Sequence, residues 1–289
     1  MRNDDGSYDI VFGYMNRNWE EEIQVPVGPD NYFAVVDIGA LNDLERSGFE
    51  LAAADQGQPT HFLPRRNRFV FTVRVPADFS DGDREVVWTL AANGSTERAY
   101  GSLARDYMID NMVIMSETGS LGAGTSNERV RANEPPTLDL EGETVLTVSV
   151  GETLTLVAAV TDDGVPEAGG NPPQADATAQ QLLDRALREP RRITVGKTDG
   201  LHLSWFVYRG AGAAVRFDPP QVKPWEDTRA FANSPWAAFW VPPPVPEDGR
   251  YVTHVTFPEP GTYVLRGRAD DGGLFADIEV TVQVIPGTI

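Results

Sequence analysis

From Tyr8 onward the chain reads as short runs in which apolar and polar residues alternate, with turn-forming residues between the runs. In "RFVFTVRV", Phe69, Phe71, Val73 and Val75 fall on one face and Val70, Thr72 and Arg74 on the other. That two-residue period belongs to a half-buried strand and fits a helix badly. "YDIVFGYM", "EEIQVPVG", "YFAVVDIGAL" and "EVVWTLAANGSTERAY" read the same way. The last contains Asn93-Gly94, a favoured pair where both central residues of a hairpin turn need positive φ, so an antiparallel hairpin is expected there. "NGS" is also a glycosylation sequon, but the turn accounts for it. The 27 Gly and 22 Pro are scattered among the runs, as many turns require. The chain is therefore expected to be all-β.

With 289 residues there is room for two ordinary domains. The composition changes between 117 and 136, where small and polar residues end in Pro-Pro, as in a linker. The expectation is a β-sandwich over 7–116 and a second over 137–287. Seven runs make up the second: "TVLTVSVG", "ETLTLVAAVTDDG", "LHLSWFVYRG", "AAVRFDPP", "YVTHVTFPEPG", "TYVLRGRADDGG" and "FADIEVTVQVIP". One helix is expected among them, in "DATAQQLLDRALREPRR". Leu182, Leu183, Ala186 and Leu187 share a side there, Asp176 or Thr178 caps the start and Pro190 stops it. A lid on the sandwich would suit it.

A formal net charge of −19, spread evenly over both halves, disfavours nucleic acid and anionic lipid. The nearest thing to a basic patch, Arg65, Arg66 and Arg68 in "LPRRNR", reads as a loop between strands or as internal ion pairs. There is no cysteine, so disulfides, thiolate metal sites and cysteine nucleophiles are out. No run approaches the ~20 apolar residues of a membrane span, and the first residues carry no signal-peptide core. A soluble chain, cytosolic or mature after export, is expected.

Catalytic patterns are sparse. The three histidines, His61, His202 and His254, sit in separate segments without metal spacing, and His202 alternates away from the apolar side of its strand. "GSLG" at 119–122 lacks the frame of a nucleophile elbow, and no glycine loop leads to a lysine that could cradle phosphate. A non-enzymatic protein is expected.

The second half resembles the immunoglobulin-like and polycystic-kidney-disease-type sandwich domains of bacterial surface and secreted proteins. "VSVGETLTLVAAVTDDG" matches an A′–B unit, "LSWFVY" strand C with Trp205 as the core tryptophan, "PEPGTYVLRGRADDGG" the E–F corner and strand F with Tyr263 as the corner tyrosine, and "ADIEVTVQV" strand G. The pattern departs from the family in two insertions, the helix between B and C and residues 218–250. The first half, through "FGYMNRN" and "HFLPRR", resembles uncharacterised bacterial envelope proteins, and no site carries over from it.

That resemblance implies that the B–C and F–G loops leave the sandwich at one end, gathering Asp162 and Asp163 with Asp270 and Asp271. Close carboxylates must be hydrated, raised in pKa, bonded to turn amides or bridged by a cation. An oxygen-only set suits Ca²⁺, whereas Asp-Asp-Gly also ends strands simply because Asp bonds its own turn and Gly accepts positive φ. The second insertion holds Trp225, Trp236 and Trp240, either an open platform for sugar rings or aromatic pins for a long loop. The function expected is that of a structural or adhesive protein of the cell surface, extracellular space or periplasm. It would act on protein partners or copies of itself, a self-assembling surface or filament subunit being one form of this. The alternatives are a carbohydrate-binding module and the accessory part of a secreted enzyme.

Overall fold

The computed structural model describes residues 1–18, 20–38, 50–51, 53–118, 127–168, 178, 199–222 and 242–287. Of the helix expected near 176–190 only Thr178 is among the described residues, and the tryptophans 225, 236 and 240 lie outside them. The chain divides into two compact units, Met1–Asp110 and Asn111–Ile289.

In the first unit β1 (Tyr8–Asn16), β2 (Ile23–Gln24), β3 (Asn31–Asp37), β4 (His61–Phe62), β5 (Arg65–Val75), β6 (Arg84–Ala92) and β7 (Ser95–Gly101) follow one another. β1 pairs with β5, β2 with β4, and β3–β6–β7 form a three-stranded sheet, all antiparallel. Alternation drives one face of β1, β3 and β5 inward. Phe12, Phe33, Phe71 and Trp88 stack edge-on and face-on with ring centroids 5.0–6.2 Å apart. The Trp88 indole N–H donates to Asn31 Oδ1 at 2.9 Å.

The turn at Asn93-Gly94 forms as expected, with φ of 50° and 77°. Two expectations are corrected. Arg65, Arg66 and Arg68 are part of β5, not of a loop between strands. The face assignment of "RFVFTVRV" also breaks at its start. A bulge between Phe12 and Tyr14 shifts the β1–β5 register, and Phe69 takes a φ of 48° while Val70 is buried. Gly13 makes the bulge possible, since a Cβ there would lie 2.5 Å from the Asn67 carbonyl oxygen.

The second unit opens with α1 (Asn111–Thr118) and α2 (Glu128–Arg131). α2 lies within the stretch 117–136 whose composition suggests a linker, and α1 overlaps only its first two residues. Eight strands follow among the described residues: β8 (Thr137–Leu140), β9 (Val145–Ser149), β10 (Thr153–Thr161), β11 (His202–Arg209), β12 (Arg216–Asp218), β13 (Arg250–Thr256), β14 (Gly261–Asp270) and β15 (Phe275–Ile285). One sheet has the order β12-β13-β10-β8 and the other β11-β14-β15-β9. In immunoglobulin lettering these are D-E-B-A and C-F-G-A′.

The pairs in these two sheets are antiparallel except β9 with β15, which is parallel. β8 and β9 belong to different sheets, so the first strand switches sheets across residues 141–144. β8 itself, four residues with two charged neighbours beyond it, is too short to show as a run.

Between the sheets Leu156, Ala158, Val160, Trp205, Val207, Val255, Leu265, Val280 and Val282 form a common core. Trp205 is buried and lies against Gly267, where an added Cβ would come within 2.9 Å of its ring. Tyr263 donates its hydroxyl hydrogen bond to the Glu259 carbonyl at 3.1 Å, closing the expected tyrosine corner.

Candidate functional site: the acidic pole

β10 ends at Thr161 and β14 at Asp270, and each runs straight into an Asp-Asp-Gly turn. The two turns repeat the same local bonds. Asp162 Oδ2 accepts from the Gly164 amide and Asp270 Oδ1 from the Gly272 amide, both at 2.8 Å. Asp163 Oδ1 accepts from the Val165 amide at 2.8 Å and Asp271 Oδ1 from the Gly273 amide at 2.5 Å. Gly164 and Gly272 take φ of 76° and 103°, which an L side chain adopts only with strain. In both cases an aspartate accepts from the amide two residues on, and a glycine supplies the reversal.

One segment joins the turns. The Glu134 amide donates to Asp163 Oδ2 at 3.2 Å, and the adjacent Asn133 donates through Nδ2 to Asp271 Oδ2, also at 3.2 Å. The B–C and F–G turns therefore meet at the same end of the sandwich, as the topology requires. What stitches them is the chain just ahead of β8. Thr118, at the end of α1, adds a bond from its hydroxyl to the Gly273 carbonyl at 3.0 Å. Gly200, at the entry to β11, donates its amide to the Asp271 carbonyl at 2.6 Å.

The electrostatics of the two turns differ. Asp163 is exposed, while Asp270 and Asp271 are 1% and 0% exposed. Burial pushes the Asp271 carboxyl up to about 7, and the neighbouring Asp270 charge adds to this. The Leu274 and Gly273 amides and the Asn133 side chain pull the other way. Each Asp271 oxygen is engaged, since Oδ1 also accepts from the Leu274 amide at 2.7 Å. Among the described residues no group of three or more His, Cys, Asp or Glu side chains is arranged to hold a metal ion. The four aspartates share a pole without converging on a common point.

The histidines are placed separately. His61 is buried with Nε2 2.6 Å from Glu22 Oε2, His254 is exposed and bonded to Thr155 Oγ1 at 3.0 Å, and the His202 ring meets that of Tyr251 edge-on. Sequence reasoning missed Thr118, Asn133 and Glu134. Nothing in their own stretch could flag them, because their partners lie 155, 138 and 29 residues away.

No family model and no curated protein matches this chain. Solved structures do match. The S-layer protein rSbsC(31–844) is 10% identical with a TM-score of 0.24, over 92% of this chain and 21% of that one. The D00-D0 domain of Intimin is 9% identical with a TM-score of 0.26, over 96% and 99%. The fibronectin(III)-like modules of Clostridium thermocellum CbhA are 9% identical with a TM-score of 0.24, over 96% and 94%. The chain thus spans about a fifth of the length of that S-layer structure. The sandwich assignment rests on the strand pairing above. No helix among the described residues is long and apolar enough to cross a membrane.

Proposed function

We propose that this chain is a non-catalytic structural or adhesive protein of the cell exterior or periplasm, acting through contacts with protein partners that include copies of itself. The observation that carries the reading is an asymmetry between the outer faces of the second sandwich. Outside β11 and β14, Ser204, Tyr208, Arg266 and Arg268 are buried. Outside β10 and β13, Thr153, Thr155, Arg250, Val252 and His254 are exposed, with Val252 48% exposed beside Val157. An open strand face with an apolar centre suits a protein contact better than a solvated wall. The acidic pole supports the same reading, since its carboxylates serve turn amides.

Light scattering across a concentration series of the full chain tests this. A mass above one chain that falls on dilution, and is abolished by Val252→Glu, is the expected result. A dilution-stable monomer defeats self-contact. The second reading, a carbohydrate surface built on Trp225, Trp236 and Trp240, rests on sequence alone, and a glycan array with Trp225→Ala and Trp236→Ala variants addresses it.

A further inference from the structure

We propose that Asn93 is a site of spontaneous, non-enzymatic deamidation and isoaspartate formation, placed at the tip of the β6–β7 hairpin. Asn93-Gly94 is the only Asn-Gly pair in the 289 residues. Asn93, Gly94, Ser95, Thr96 and Glu97 are all exposed. The strand ladder closes at Ala92↔Ser95, so both turn residues stand outside it. Among the described residues neither the Asn93 carboxamide nor the Gly94 amide has a hydrogen-bond partner in the protein. An added Cβ at Gly94 would meet nothing within 4 Å, so no wall hinders approach to its nitrogen.

The chemistry needs only these atoms and water. The Gly94 nitrogen, losing its proton, attacks Asn93 Cγ. The new N–Cγ bond closes a five-membered succinimide, the Cγ–Nδ2 bond breaks, and ammonia leaves carrying the proton. Water then adds to one of the two ring carbonyls. Opening on one side yields aspartate, and opening on the other yields isoaspartate, in which the main chain runs through the former side chain. Nothing is oxidised or reduced. Each product gains a negative charge, and isoaspartate adds a backbone atom to a two-residue turn whose geometry matches the twist of its strands.

The consequence stays local. β7 is the outer strand of β3–β6–β7, while β6 keeps Val86, Val87 and Trp88 buried and paired with β3. Lengthening the turn therefore frays the Ala92–Ser95 and Ala91–Thr96 pairs and leaves the aromatic core in place.

The test is incubation of the folded full chain at mildly acidic and mildly alkaline pH, followed by peptide mapping with mass spectrometry and isoaspartate-specific methyl labelling. Expected is conversion at Asn93 that rises with pH and disappears in Asn93→Gln. Amide hydrogen exchange in Ser95–Glu97 should quicken in the converted fraction and stay slow in Asn93→Asp, which adds the charge without the extra backbone atom. An intact Asn93 in the folded chain, over a time in which a free peptide of the same sequence converts, overturns the proposal.

Discussion

The two Asp-Asp-Gly turns share a sequence, a left-handed glycine and a pair of aspartate-to-amide bonds, yet one is exposed and the other sealed. In the B–C turn Asp163 faces solvent and binds two backbone amides. In the F–G turn Asp271 is fully buried and accepts from Gly273, Leu274 and Asn133. The motif therefore settles only local geometry, and its energetic weight comes from what packs over it. A buried acceptor that satisfies three donors cannot be removed without stranding them, whereas water replaces an exposed one.

The largest expected difference follows from that. Asp271→Ala leaves two amides and a carboxamide without their acceptor in a dry site, and should cost the second unit about 3–5 kcal/mol. Asp163→Ala should cost ~1–2 kcal/mol, because water reaches its donors. Denaturant unfolding of the full chain, read through the Trp205 environment, separates the two. Equal losses would mean that the turns are energetically alike despite their burial.

The glycines give the next largest contrast. A Cβ added at Gly272 would lie 2.8 Å from the Asp199 Cα in a backbone with φ of 103°, so Gly272→Ala combines strain with a clash, about 2–4 kcal/mol. Gly164→Ala meets nothing within 4 Å and bears the strain alone, ~1–2 kcal/mol. Comparing the two unfolding midpoints sharpens the burial argument without touching a charge.

How much of this was legible in the chain follows the same division between local and distant causes. The Asn93-Gly94 hairpin and the Asp-Gly turn bonds depend on neighbours within a few residues, and their residue types announce them, whereas the Tyr263 corner was expected through the family resemblance. Trp205 could be placed through the resemblance of "LSWFVY" to strand C, since the strand itself is buried on both faces. Asn133 could not, since its role exists only once residue 271 is folded against it. Alternation along β14 sends Arg266 and Arg268 away from the face that carries Leu265 and Ala269, where water would be the default partner of a guanidinium. They are instead buried, at 3.5 Å over the Tyr208 ring and 3.9 Å over the Phe275 ring, and paired with Glu279 and Asp277 from β15. The bulge at Gly13 was hidden for a similar reason, because it answers to the opposing strand.

A smaller effect distinguishes the turns by pH. The Asp271 carboxyl is held at about 7 in the folded protein, above an unfolded value of ~3.9, so the folded state binds more protons between these limits. Stability of the second unit should then fall as pH rises through that window, by up to ~1.4 kcal/mol per unit. Asp271→Asn should flatten the slope. It keeps an oxygen for the Gly273 and Leu274 amides, and Asn133 can turn over to present Oδ1, which has no partner in its present orientation. A slope unchanged in Asp271→Asn would assign the titration elsewhere.

The smallest expected effect concerns Ca²⁺. The cation needs about 6–8 oxygens, and carboxylate lone pairs already directed at N–H groups are poorly placed to supply them. At this pole Asp163 and Asp271 each use both oxygens on amide donors, and Asp162 and Asp270 each accept from a turn glycine. Millimolar Ca²⁺ should therefore leave the thermal midpoint of the second unit where it is, since a ligand stabilises only by binding the native state preferentially. A Ca²⁺-dependent rise that survives in Asp271→Asn and vanishes in Asp163→Asn would reverse this conclusion for the exposed turn. The difference between the turns would then be one of function as well as burial, with one sealed aspartate holding the chain together and one open aspartate holding an ion.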